Sequence, residues 1–360
     1  NKRFSGKVNI VDPKLFGPFG TDTLASTIIN TAKTQTDSTR TTLGSEVTTF
    51  TSVSSETEHV LNTAPDDYGT SYYFRGNVID NYVSFADKTW RIVRINGDGS
   101  IRLILDDVAK DSSGSVIKTK FNTNSNDNAY VGYMYGTPGS TTYEATHENK
   151  NDSTIKIAVD KWYEDNLKTN YTNYLSDTLF CGDKTLAENG IGGVTTQLGY
   201  GTNITYYSST ERLRYNTGTT AITTSIPTLK CAEKTNNSYS RYTVNQSTLP
   251  NGKETNGNLK YPIGLLSADE DAYAGVYKYF QTNKTHYLYN SSITSDWYLL
   301  SPGNHNGSNA YEWYVYYSDG RIDSNNVVNS IAFRPTINLK KDVKFSGTGT
   351  SSDPYKIVSE

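Results

Sequence analysis

WRIVRINGDGSIRLIL, residues 90–105, is the stretch that decides the fold. Trp90, Ile92 and Arg94 alternate with Arg91, Val93 and Ile95, the period of two that sends successive side chains to opposite faces of a strand. Asn96-Gly97-Asp98-Gly99 then supplies residues that tolerate the positive φ of a tight hairpin. Ile101 to Leu105 resumes the strand texture, so the segment predicts two antiparallel strands and their turn. Upstream, SYYFRGNVIDNYVSFADKT at 71–89 has the same texture, and a β-meander is expected from Pro65 onward.

Outward from the meander, NDSTIKIAVDKWYEDNLK (151–168) carries Ile155, Val159 and Trp162 at helical spacing, with Asp152 or Ser153 as cap. A second helix is expected from Ser267, where Ser267-Ala268-Asp269-Glu270 fits a capping box and Gly275 can end the helix. WYLLSPGNHNGSNAYEWYVYYSDGRIDSNNVVNSIAFRPTINL (297–339) predicts three or four short strands, with Ser318-Asp319-Gly320 as a hairpin signal. The expected fold class is therefore α+β: a mixed domain of short antiparallel strands with two helices over 61–342, containing a polar insertion at 176–258. Residues 343–360 read as a hairpin-like tail. Residues 1–60, rich in Thr and Ser, read as an extended stalk or assembly segment ordered against its own domain or a neighbouring subunit.

Composition narrows the function class. The chain has 360 residues with 29 Tyr against 11 Phe and 4 Trp, so much of its apolar area comes from rings that keep a hydroxyl for water or a ligand. Net charge is −3 and basic residues never run beyond a pair, which leaves no electrostatic footprint for nucleic acid. No stretch approaches the roughly 18 consecutive apolar residues of a membrane span, so none is expected in this chain. No charged-then-apolar segment opens it either, and any export signal is expected to have been removed. The two cysteines, Cys181 and Cys231, suit one disulfide in an oxidising compartment, with two buried thiols as the alternative.

In their order, the meander, YPIGLLSADEDAYAG (261–275), WYLLSPG (297–303) and IAFRP (331–335) resemble the C-type-lectin-like fold of formylglycine-generating-enzyme relatives. The opening DDYGTSYYFRGNV (66–78) is similar to that of surface and pilin-associated proteins of gut Firmicutes, and Phe333-Arg334-Pro335 resembles the ending of diversity-generating retroelement variable proteins. The resemblance implies a binding face in the Tyr/Asn-rich segment before that ending: Asn304, His305, Asn306, Asn309, Tyr311, Tyr314, Tyr316, Tyr317, Asp319, Asp323, Asn325 and Asn326. The same residue mix serves antibody paratopes, because Tyr gives contact area at low rotamer cost and Asn gives adaptable hydrogen bonds. The plain alternative is a packed strand face, to which Trp313 and Val315 are suited.

Catalytic signals are missing. Formylglycine-generating enzymes act through a cysteine pair near the C-terminus, and no cysteine follows Cys231. The histidines, His59, His147, His286 and His305, lack the clustering of an iron site and are read as surface residues, with His305 in the ligand face. The pairs Asp66-Asp67, Asp106-Asp107 and Asp269-Glu270 are read as structural, and Gly190-Ile191-Gly192-Gly193 as a turn. No cofactor and no required metal are expected; the lectin calcium signatures are absent. The reading is a non-catalytic, extracellular, adhesin-like protein that binds a glycan or protein on another surface. The alternative is a subunit of an extracellular filament or pilus that self-assembles through residues 1–60.

Overall fold

A computed structural model describes residues 19–48, 50–188, 191–214, 226–231 and 238–358. Among these the chain is mixed α+β. The meander is present: Lys88–Ile95 and Ile101–Leu105 pair antiparallel with a bulge between Ile92 and Arg94, and Gly99 takes φ +88° in the turn. They are the middle of a ten-stranded sheet running Thr42–Glu46, His59–Pro65, Thr70–Gly76, Lys88–Ile95, Tyr82–Phe85, Tyr355–Ile357 and Phe345–Ser346. Ile101–Leu105 carries the sheet on through Thr336–Leu339 to Ile263–Gly264. From Trp90 to Ile95 every residue is buried, so both faces of this strand are covered.

The expectation of two helices is corrected, because five α-helical segments lie among the described residues. Thr154–Asn166 is capped by Ser153, and the Ser267/Glu270 capping box opens Ala268–Asp271, as expected. Leu24–Thr34 was hidden by its Thr and Ser content. Its capping box at Thr23 and Ser26 starts the helix, and Leu24, Ile28, Ile29 and Ala32 bury one face against the large sheet. Thr42–Glu46 then pairs parallel to His59–Pro65, so the described part of the Thr/Ser-rich segment lies on its own domain. Residues 1–18 of that segment lie outside the described residues. Ser208–Arg214 is a polar helix buried by ion pairs, which leaves no apolar period to read.

The histidine expectation is also corrected. His147, His286 and His305 are buried, and only His59 is half-buried. Burial pushes His147 and His286 down to about 3, so both are neutral rings that help fill the interior. One core joins Leu24 of the N-terminal helix to Tyr355 of the tail hairpin. Among the described residues no helix is long and apolar enough to cross a membrane.

The Tyr/Asn-rich segment folds as a second sheet of five strands: Thr205–Tyr206, Trp297–His305, Ala310–Val315 and Ile322–Asn326 in order, with Ala332–Phe333 parallel to Trp297–His305. Ile322–Asn326 is its edge strand. Cys181 and Cys231 form a disulfide in the polar insertion, where Leu179 and Leu249 give a small apolar cluster. The insertion's residues 189–190, 215–225 and 232–237 lie outside the described residues; of the expected turn only Gly190 is among them, and Ile191–Gly193 form one turn of 3-10 helix.

Candidate functional site

The sequence motifs converge first on a buried ion network. Asp66 accepts from Tyr68 N and Gly69 N through one oxygen; through the other it accepts from Arg94 Nη1 at 2.8 Å and Gly97 N at 2.9 Å. Arg94 and Arg102 share Glu270 Oε1 at 3.0 and 2.7 Å. Beside them Arg212 forks onto Asp269 at 2.7 and 2.8 Å and reaches Asp183 at 2.7 Å. Burial would raise Glu270, but the guanidinium charges of Arg102 and Arg94 outweigh it and hold the carboxyl down at about 2. The cavity here is about 20 Å³, the scale of one water, and the cluster ties the elements together.

Phe333-Arg334-Pro335 is interior too. Arg334 donates to Leu105 O at 2.9 Å and Leu288 O at 2.7 Å, and its guanidinium lies 4.9 Å from the centre of the Trp297 ring. Burial lowers it to about 10.

The twelve expected face residues separate into two groups at opposite ends of the second sheet. Asn304 pairs with Tyr311, which pairs with Asn326, while Tyr314 pairs with Asp323. Ala310–Val315 puts about 17 Å between those ends at the usual strand rise. At the first end Asn304 and His305 are buried, and Tyr311, Asn309, Asn325 and Asn326 are half-buried. Exposed Asn306 caps its own turn by accepting from Ser308 N and Asn309 N. This end is largely committed to holding its loop.

The second end is open. The turn through Ser318-Asp319-Gly320 is closed by Tyr316 N to Arg321 O and Gly320 N to Tyr316 O, both 2.9 Å. Gly320 sits at φ +71°, where an added Cβ would lie 2.2 Å from Asn283 O, so glycine lets the turn seat against the 277–283 loop. That loop carries Phe280 at φ +61° with 51% of its surface exposed. A bulky residue in the left-handed region is strained, and here the strain presents an aromatic ring to solvent. Arg321 lies between Phe280 and Tyr316, 5.2 and 4.2 Å from the ring centres, and is held by Asp319. Tyr317, 38% exposed, lies 5.8 Å from Tyr316, and Tyr279 packs edge-on to Phe280 at 4.3 Å. Tyr314 is buried beneath, where burial pushes its hydroxyl well up, and Asp323 is raised by the same cause. Tyr316, Tyr317, Asp319 and Asp323 of the expected face thus meet Phe280, Tyr279 and Arg321, which sequence reasoning missed. Phe280 is some forty residues away in the chain, and no local pattern announces its backbone.

A cleft of about 940 Å³ among the described residues also escaped the sequence reading. It lies between Lys88, Asp106, Asp107 and Asp111 on one side and Lys161 and Asp165 on the other, with Trp162 in its lining. Lys110 pairs with Asp107, and Lys161 with Asp165, so its charges largely neutralise one another. Among the described residues no cluster of His, Cys, Asp and Glu could hold a metal ion.

Residues 202–341 match a family model described as a domain of unknown function, DUF6273. The match spans the second sheet, the 277–283 loop and the Phe-Arg-Pro segment. No curated protein matches the chain, and no solved structure does.

Proposed function

We propose that the chain is an extracellular, non-catalytic binding protein, with a C-type-lectin-like domain, that recognises a glycan or protein through the aromatic end of its second sheet. The observation that carries the reading is Phe280, held in a strained conformation and half-exposed beside Tyr316, Tyr317 and Arg321. Rigid aromatic rings around an arginine are the composition of binding hot spots, because they bury large area with little rotamer entropy to lose. Rings of this kind stack on sugar faces as readily as on side chains. The disulfide supports an oxidising compartment. The lectin-like reading of the fold rests on the ordered motifs, and it is supported by the way the opening motif, the meander and the capping box meet in one interior network.

The test is a screen of glycans and cell-surface proteins with the full chain, followed by Phe280→Ala combined with Tyr317→Ala. Loss of two hot-spot rings is expected to weaken binding by about 30-fold or more, with the thermal transition nearly unchanged. Tyr314 is left intact because it is buried. A double variant that binds like the wild type would sink the assignment of the site.

A further inference from the structure

The polar insertion holds a lysine amine against a side-chain amide in the interior. Lys184 is 0% exposed. Its Nζ donates to Met134 O at 2.7 Å, His147 O at 2.9 Å and Asn149 Oδ1 at 2.9 Å. The Asn149 amide is itself oriented: Oδ1 also accepts from the Tyr242 hydroxyl at 3.4 Å, and Nδ2 donates to Tyr239 O at 3.2 Å. The Tyr242 ring lies 5.6 Å from Nζ and walls the site. From the second sheet comes Glu312, 0% exposed, with no hydrogen-bond partner on either carboxylate oxygen. Burial raises Glu312 well above the usual carboxylate range, opposed by the charge of Lys184.

We propose that Lys184 and Asn149 become joined by an intramolecular amide bond that the folded chain forms by itself. Nζ, as the free amine, bonds to Asn149 Cγ; the Cγ–Nδ2 bond breaks; one proton passes from Nζ to the departing nitrogen; and ammonia leaves. No oxidant, metal or cofactor enters the balance. The site supplies what the step needs. The Tyr242 hydroxyl is placed on the oxygen that gains negative charge at the tetrahedral stage. Glu312, buried and with both oxygens unpartnered, is the group assigned to carry the proton between the two nitrogens. The contact to Asn149 Oδ1 at 2.9 Å holds Nζ beside its target, so the encounter is intramolecular and pre-oriented. The bond would fasten the insertion to the segment before helix Thr154–Asn166, three residues along the chain from the disulfide at Cys181.

The measurement is the intact mass of the wild-type chain, unfolded and reduced, so that the result is independent of how any variant folds. The expected mass is one ammonia below that of the sequence. The digest should yield the peptides of Asn149 and Lys184 as one cross-linked species, with trypsin unable to cut after Lys184. Asn149→Ala returns the mass to the sequence value, and Glu312→Gln leaves most of the chain unlinked. A wild-type chain at its full sequence mass overturns the proposal. So does a loss of ammonia that maps to an Asn-Gly step such as Asn251-Gly252. A fully linked Glu312→Gln chain overturns the role given to Glu312.

Discussion

Replacing Glu270 with Gln tests whether the ion network holds the fold. Glu270 accepts from both Arg94 and Arg102 and closes the capping box on Ser267 N at 3.0 Å. Gln keeps the shape but removes the charge and has one acceptor oxygen; where that oxygen caps Ser267 N, its amide nitrogen faces the arginines and leaves Arg102 with the neutral acceptors Asn338 Oδ1 and Leu179 O. The carboxyl sits at about 2 against an ordinary 4.5. At about 1.4 kcal/mol per pH unit, that displacement corresponds to about 3 kcal/mol of stability. The figure agrees with the roughly 3–5 kcal/mol lost when one partner of a buried pair is removed. Because the folded value is depressed, the contribution is present above about 4.5 and is lost as pH falls through about 2. Urea denaturation followed by tryptophan fluorescence should show a Glu270→Gln variant about 3 kcal/mol weaker at pH 7 with the same m-value. The gap should close as pH drops below 4.5. A loss under about 1 kcal/mol at pH 7, or a gap that does not change with pH, would refute the reasoning.

Asp271 predicts the opposite pH dependence. It is fully buried with no hydrogen-bond partner on either oxygen, and burial raises it to about 7, opposed by Arg334. The folded state therefore holds a proton that the unfolded chain releases near 3.8, so this group costs stability progressively as pH rises from 3.8 through about 7. Asp271→Asn should stabilise the protein at pH 8 and leave it nearly unchanged at pH 4, read by thermal unfolding at both values; equal effects at the two would exclude the assignment. Reduction of Cys181–Cys231, which closes a separation of 50 residues, should lower stability by up to about 4 kcal/mol of chain entropy. A denaturant midpoint unmoved by reductant would mean that the insertion opens independently of the rest.

The meander was legible because two independent signals coincide in it, the alternation of Trp90 to Ile95 and the turn residues of Asn96 to Gly99. The two capped helices were legible for the same reason. The helix Leu24–Thr34 was not, because Thr and Ser mask a period that matters only once Leu24, Ile28 and Ile29 have a sheet to pack on. The helix Ser208–Arg214 was not, because its burial is bought by Asp183 and Asp269, residues distant in sequence. The histidines were misjudged on composition: in a chain this polar they looked like surface, whereas three of them are buried, His147 and His286 as neutral rings.

The site divides along the same line. Motifs that carry family resemblance turned out to hold the interior: Asp66 of the opening motif, Arg94 and Arg102 of the meander, Glu270 of the capping box and Arg334 of the ending are all buried. Such positions announce a fold because each must satisfy a specific buried partner, and a missing partner would leave a charge unpaired out of water. A binding patch carries no such obligation. In the Tyr/Asn-rich segment the strand period sends alternate residues inward, so composition named the segment but could not say that Tyr314 lies beneath while Tyr317 stands out. Nor could it say that Phe280 would join them. That ring reaches the patch because Gly320 lets one turn lie on another loop and because the backbone at Phe280 accepts a strained φ. Both are properties of two segments meeting. The part of this surface best placed to bind was therefore the part least visible in the chain that encodes it.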